Sequence, residues 1–290
     1  MIIKVEDLSF TYMSGTPFEK RALDGVNVVI EEGEFVTIIG ATGSGKSTFI
    51  QHLNALIKCV NGRIIVDGID LTAPKPDLKR LRRTVGMVFQ YPEYQLFGET
   101  VIKDIAFGPK NLGFFKDETA ELVKEAIELV GLDYEDVAER SPFDLSGGEK
   151  RRVALAGVIA MKPKILILDE PTAGLDPLGR QEVLKLIKRI RQASTPTIIA
   201  VSHDIDEVAG YTDRFLVMSE GRIVLDAPTD RLYEYRELLA ENGLVLPTTL
   251  RIKSELEGRG INIPAKIKIS DFVNSIEEIY RQKQEESISL

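Results

Sequence analysis

Residues 40 to 48 read Gly40-Ala41-Thr42-Gly43-Ser44-Gly45-Lys46-Ser47-Thr48, and this stretch decides the fold. It matches G-x-x-x-x-G-K-[ST] from Gly40 to Ser47. The apolar run Phe35-Val36-Thr37-Ile38-Ile39 before it reads as a buried strand, and Phe49 to Ile57 after it reads as a helix. Strand, glycine loop and helix in that order make a phosphate-binding loop. Small residues let the backbone curl around a polyphosphate with its N–H groups pointing inward. The positive end of the following helix adds to the attraction. Lys46 is placed to reach the terminal phosphates, and the Ser47 hydroxyl to bind Mg²⁺.

Outward from the loop, the 290 residues suffice for one large domain or two unequal ones. No apolar run reaches the roughly 20 residues needed to cross a bilayer. The opening Met1-Ile2-Ile3-Lys4-Val5-Glu6 lacks the charged-then-apolar layout of a signal peptide, and the cytosol is the expected compartment. Cys59 is the single cysteine, which excludes an intrachain disulfide and a cysteine metal cluster. A net charge of −8 argues against nucleic acid as a partner. The basic run Lys79-Arg80-Leu81-Arg82-Arg83 could meet a phosphate or an anionic membrane, but reads more simply as a solvated helix end.

The first third is β-rich, with Ile2 to Phe10, Ala22 to Ile30 and Arg63 to Val66 separated by turn signals such as Glu32-Gly33 and Asn61-Gly62. Thr119 to Val130 has helical spacing, and Gly131 stops it. From Pro163 the pattern alternates: strand Ile165 to Leu168, helix Leu178 to Gln192, strand Thr197 to Val201, then strands Arg214 to Met218 and Arg222 to Asp226. Such α/β alternation implies a mainly parallel sheet covered by helices. After Thr229 the chain reads as mostly helix, ending in Asp271 to Arg281 with Ser270 as N-cap and Phe272, Val273, Ile276, Ile279 and Tyr280 as a stripe. That stripe fits either a dimerisation or docking helix or packing within its own domain. The polar tail from Gln282 to Leu290 is expected to fray.

A second signal is Ile165-Leu166-Ile167-Leu168-Asp169-Glu170, a buried strand carrying two carboxylates to the edge where parallel sheets bind ligands. Asp169 suits the Mg²⁺ role and Glu170 the general base that acts on water. A third is Leu145-Ser146-Gly147-Gly148-Glu149 before the helical run Val153 to Ile159. Ser-Gly-Gly at a helix start again offers free N–H groups to an anion. One nucleotide on one monomer has little use for two such helix starts, so the residues suggest a composite site shared between two subunits.

Over residues 1 to 230 the sequence resembles an ATP-binding cassette (ABC) ATPase, with the motifs in the family's order. The resemblance implies a P-loop NTPase core of mainly parallel sheet and helices, an N-terminal antiparallel β subdomain, a helical signature subdomain over about 91–160, and a C-terminal helical extension over 231–290. It implies a head-to-tail dimer holding two ATP molecules between phosphate loops and signature segments. Within it Leu145 to Glu149 form the signature, with Ser146 to Glu149 at the nucleotide, Gln90 the glutamine that touches Mg²⁺ and water, Asp176 the D-loop aspartate and His203 the switch histidine. Tyr12 fits the aromatic that stacks on adenine. His52, inside the phosphate-loop helix, reads as packing or surface. Glu149 departs from the family's commonest Gln, losing a donor and adding charge near a polyphosphate, and is expected to tune affinity.

A narrower resemblance rests on Phe10-Thr11-Tyr12, Gly15-Thr16-Pro17-Phe18-Glu19, Gln51-His52-Leu53-Asn54, the run Phe89-Gln90-Tyr91-Pro92-Glu93-Tyr94-Gln95-Leu96-Phe97, and Asp104 to Gly113. These look like the ATPase subunits of energy-coupling factor (ECF) transporters, the second of two paralogous types. The resemblance implies a peripheral protein on the cytoplasmic face of the membrane, partnered by a paralogous ATPase or a second copy, a membrane scaffold subunit and a substrate-binding membrane subunit. Its cargo would be a vitamin or a transition-metal ion, and Gln95 would line the groove for the scaffold. A soluble ABC ATPase acting on nucleic acid or ribosomes is the alternative; the single cassette and acidic balance stand against it. A non-hydrolysing nucleotide-gated module is a third reading, opposed by intact Asp169, Glu170 and His203.

Overall fold

The computed structural model describes the backbone of residues 1–288 and the side chains of residues 1–281. Among the described residues ten strands form two sheets. The N-terminal sheet is antiparallel, in the order β2 (Lys20–Ile30), β1 (Ile3–Tyr12), β4 (Asn61–Val66), β5 (Ile69–Asp70). The second sheet runs β10 (Arg222–Pro228), β9 (Arg214–Ser219), β3 (Phe35–Ile39), β8 (Thr197–Val201), β7 (Ile165–Asp169), β6 (Val85–Val88). All its neighbours pair in parallel except β10, an antiparallel edge.

The expected parallel sheet is therefore present, and its alternation explains the core. Successive side chains of a strand point to opposite faces. Phe35, Ile39, Leu166 and Leu168 face one apolar cluster, while Val36, Ile38, Ile165 and Ile167 face another between the two sheets. All five residues of β3 are buried, as a strand covered on both sides requires. Because β3, β6, β7 and β8 run the same way, their carboxyl ends share one edge.

Helices α1 (Lys46–Leu53) and α2 (Leu78–Thr84) belong to the first part of the chain. The middle of the chain folds as α3 (Val101–Ile105), α4 (Phe107–Leu112), α5 (Lys116–Leu129), α6 (Tyr134–Val137) and α7 (Gly147–Ile159), and α8 (Pro177–Ala193) and α9 (Ile205–Val208) follow β7 and β8. The helix after the phosphate loop stops at Leu53, short of the expected Ile57. Ala55 turns into the left-handed region at φ 56°, and its N–H closes back on the His52 carbonyl. The basic run on α2 is locally engaged: Arg80 donates to the Asp67 carbonyl and Arg83 lies over the Phe114 ring at 4.6 Å.

The C-terminal part forms α10 (Arg236–Glu241), α11 (Thr248–Gly258) and α12 (Ile269–Ile288). Leu232, Leu239 and Leu250 join the core cluster of the large sheet. Ser270 lies inside α12 rather than at its N-cap, since the helix starts at Ile269. Of the expected stripe Phe272 is buried, whereas Val273 and Ile276 are exposed. The backbone stays helical to Ile288, where fraying was expected from Gln282; Ser289 and Leu290 lie outside the described residues. Among the described residues no helix is long and apolar enough to cross a membrane.

Candidate functional site

Gly40 to Gly45 leave the carboxyl end of β3 and pass close to two neighbouring strands. A Cβ on Gly40 would stand 2.1 Å from the Met218 carbonyl oxygen, and one on Gly45, at φ 106°, would stand 2.5 Å from that of Ala22. Only glycine fits both places. The Ser44 carbonyl accepts from Gly221 N–H, and the Gly45 carbonyl accepts from Phe49 N–H, which seats the loop on α1. Lys46, buried at 7% exposure, donates from Nζ to the Gly40 carbonyl at 2.8 Å and the Ala41 carbonyl at 2.9 Å. Burial lowers its ammonium pKa, opposed by the nearby charges of Glu170 and Asp169.

The ends of the parallel strands bring the remaining groups to the loop. Asp169 closes β7, and its Oδ1 accepts from the Ser47 hydroxyl at 3.4 Å. Burial raises the Asp169 carboxyl above its usual range; the Ser47 bond opposes this, while the Glu170 charge adds to it. Glu170 sits at φ 48°, a left-handed conformation uncommon for this residue type, and its N–H donates to the Val201 carbonyl. Its Oε2 accepts from Gln90 Nε2 at 3.1 Å, and His203 Nδ1 stands 3.7 Å from the same oxygen. Gln90 follows β6 and His203 follows β8, so three strand ends converge on one carboxylate.

A cavity of about 370 Å³ opens over the loop, lined by Tyr12, Lys20, Lys46, Thr48, Gln90 and Glu170 among others. Tyr12 stands edge-to-face on Phe10 at 4.8 Å, with its hydroxyl 3.2 Å from the Thr48 hydroxyl. His52 is packed beneath: its ring meets Phe10 at 4.9 Å and its Nδ1 lies 2.8 Å from the Thr48 carbonyl. Lys20 was not singled out in the sequence, although it pairs with Tyr12 across the β1–β2 hairpin. Pairing the two strands in register would have found it.

The residues fit a bound polyphosphate and a hard cation. The Ser44 hydroxyl is buried in the loop without a hydrogen-bond partner. The Ser47 and Asp169 oxygens stand side by side next to Glu170, carrying negative charge that a cation would compensate. Among the described residues no group of three or more His, Cys, Asp or Glu could hold a metal.

The signature segment and Asp176 stand apart from this cavity. Ser146 is the N-cap of α7 in a reciprocal capping box: the Ser146 N–H and hydroxyl both donate to Glu149 Oε2, at 2.8 and 2.7 Å, and Glu149 N–H donates to the Ser146 oxygen at 3.3 Å. Those bonds lower the Glu149 carboxyl pKa. Where the sequence suggested only lost donation and added charge, the acid caps its own helix. Asp176 caps α8, accepting from Gly179 N–H at 2.8 Å.

A family model described as ABC transporter matches residues 23–173. The energy-coupling factor transporter ATP-binding protein EcfA2 of Clostridium perfringens is 52% identical over 97% of this chain and 99% of its own length. Its namesake in Clostridium tetani is 51% identical over 92% of this chain and 93% of that protein. The chain belongs to the ABC transporter ATPases, in their energy-coupling factor branch.

Solved structures of this family agree. CbiO1 from Clostridium perfringens, described as part of the ABC transporter complex cbiONQ, superposes with a TM-score of 0.72 at 40% identity, covering 87% of this chain and 98% of that one. A dimeric ATP-binding cassette solved after hydrolysis with ADP and Pi gives 0.69 at 29% identity, covering 79% and 99%. Like other energy-coupling factor ATP-binding proteins, this chain binds ATP and hydrolyses it in the service of transport.

Proposed function

We propose that the chain is one half of a head-to-tail pair of cassettes whose shared sites hydrolyse ATP to drive a membrane uptake complex. The observation that carries this reading is the convergence of Gln90, Glu170 and His203 beside the phosphate loop. Ser146, Gly147 and Gly148 start a helix away from the nucleotide cavity, which supports completion of the site by the signature of a second cassette. A dimeric relative holding ADP and Pi supports the pairing.

In this mechanism the loop amides and Lys46 hold the phosphates, and the Tyr12 face receives the adenine. Ser47 and Asp169, with Gln90 nearby, would hold Mg²⁺, which supplies neutralisation of charge on the phosphate oxygens when bound. Glu170 accepts the proton of the attacking water, Gln90 orients that carboxylate, and His203 reaches toward the terminal phosphate. Asp176 faces the partner cassette at the start of α8.

A groove of about 380 Å³, lined by Leu56, Phe89, Gln95, Phe97, Phe107 and Met161 among others, supports docking of a membrane scaffold. Phe97 and Phe107 meet edge-to-face at 4.8 Å, yet are 60% and 52% exposed. Apolar aromatic surface of that kind marks an interaction site. The nucleotide-binding part spans residues 1–230, with the helical subdomain at about 91–160. The extension 231–290 offers Val273 and Ile276 for dimerisation or docking.

The partners of this reading are a paralogous cassette or a second copy, a scaffold, and a substrate-binding membrane subunit for a vitamin or transition-metal ion. They would hold the chain at the cytoplasmic face of the membrane. The transporter names of the relatives favour this over a machine acting on nucleic acid or ribosomes. Affinity purification of the tagged chain from detergent-solubilised native membranes tests it. A second cassette and small hydrophobic membrane proteins should co-purify; soluble partners alone would end the uptake reading.

A further inference from the structure

Arg151 lies in the second turn of α7 at 7% exposure. A charge so buried persists only with its partner and its hydrogen bonds in place. Nε and Nη2 donate to the two carboxylate oxygens of Glu93, each at 3.1 Å. Nη2 also donates to the Ala173 carbonyl at 3.2 Å, and Nη1 to the Pro171 carbonyl at 3.4 Å. One guanidinium thus joins three segments: the 3-10 turn Pro92–Gln95 beside the aromatic groove, the helix that begins at Ser146, and the turn between Glu170 and Asp176.

A second contact follows the same route. Tyr91, held at φ 56°, sets its ring against Gly174, where a Cβ would stand 3.1 Å from ring atom Cε1. Arg151 also lines a cavity of about 80 Å³, together with Val88, Leu155, Leu168, Leu175 and Val183 among others. The directional bonds of the guanidinium hold the three segments to one another.

We propose that Arg151 is a positioning residue for ATP hydrolysis, transmitting displacement of the groove-side turn to the segment that holds Glu170 and Asp176. Arg151 does not line the nucleotide cavity, so its effect falls on turnover rather than on nucleotide binding. The inference rests on the reading of Glu170 as the residue that acts on water.

The competing account is a buried ion pair that serves stability alone. Replacing such a pair by apolar side chains of similar volume commonly preserves stability, so Arg151→Met combined with Glu93→Leu separates the two. Phosphate release by the complex purified from membranes is the measurement, alongside thermal melting. The expected result is a melting temperature near that of the wild type, KM for ATP within about twofold and kcat about 10- to 100-fold lower, the cost of a small misplacement. A double variant that melts normally and turns over within about twofold of wild type overturns the proposal. Arg151→Lys keeps the charge opposite Glu93 but lacks the fork that also reaches two carbonyls. It too should lose turnover at unchanged KM, and full turnover in a stable Arg151→Lys protein overturns the proposal independently of the double variant. Glu170→Gln assayed in parallel keeps the two claims apart, since normal turnover there removes the base assignment while the Arg151 variants still report on the clamp.

Discussion

Gln90 Nε2 donates a hydrogen bond to Glu170 Oε2 across 3.1 Å, joining the residue beyond one strand to the residue beyond its neighbour. The bond aims a carboxylate that the φ of 48° at Glu170 already turns away from the run of its own strand. A general base, the role proposed for Glu170, contributes on the order of 10²- to 10⁴-fold to rate. Glu170→Gln should therefore lower kcat by about 10²-fold or more while ATP still binds and the closed pair of cassettes accumulates. Phosphate release and gel filtration with ATP check it; ordinary turnover would show that another group acts on the water.

Lys46 Nζ donates to the Gly40 and Ala41 carbonyls, which holds its ammonium against the loop. Charge-assisted bonds to phosphate contribute about 1.5–3 kcal/mol each. Lys46→Ala should weaken ATP binding by about 10- to 100-fold without unfolding the chain. Titration calorimetry with ATP reads this directly, and an unchanged Kd would remove the lysine from the phosphate site.

Ser146 has its hydroxyl proton committed to the Glu149 carboxylate at 2.7 Å. In the proposed shared site, a phosphate on the partner cassette would compete with that bond and face the negative charge behind it. Glu149→Gln keeps a capping acceptor but removes the charge, and charge-assisted bonds are about twice as strong as neutral ones. KM for ATP should fall about two- to tenfold at nearly constant kcat. An unchanged or higher KM would mean the box does not oppose nucleotide closure.

His52 is 1% exposed, and its Nε2 has no hydrogen-bond partner. Burial lowers its pKa, and the bond to the Thr48 carbonyl only partly opposes this. The folded pKa lies below the unfolded value of 6.5, so just below that pH the unfolded chain holds more protons. Stability contributed by neutral His52 is complete above pH 6.5 and declines as pH falls toward the folded pKa, by at most about 1.4 kcal/mol per pH unit. His52→Phe keeps the edge contact with Phe10 and should flatten that part of the stability curve. Denaturant melts of both proteins from about pH 5 to 7.5 compare the slopes, and parallel curves would show that His52 does not titrate on unfolding.

The phosphate loop, the strand ending in Asp169 and Glu170, and the Ser-Gly-Gly helix start were legible in the sequence because each is contiguous. Glycine spacing and an apolar run encode local backbone geometry directly, and β8 falls on the residues expected for it. The order of elements followed too, since alternating strand and helix leave few topologies besides a parallel sheet. Only the tertiary structure decided what meets what. Gln90 and Glu170 lie 80 positions apart, and Glu93 and Arg151 lie 58 apart; strand order and helix packing, to which local patterns are blind, bring them together. The same holds for Lys20 opposite Tyr12, for His52 beneath Phe10, and for α1 ending at Leu53, where a left-handed Ala55 cut short the helix expected to run to Ile57. The sequence by itself determined the groups able to hold a polyphosphate. Parallel strands that end on one edge of the sheet decided which acid, amide and imidazole meet there, because side-chain pairing across a fold depends on register and packing rather than on neighbours along the chain.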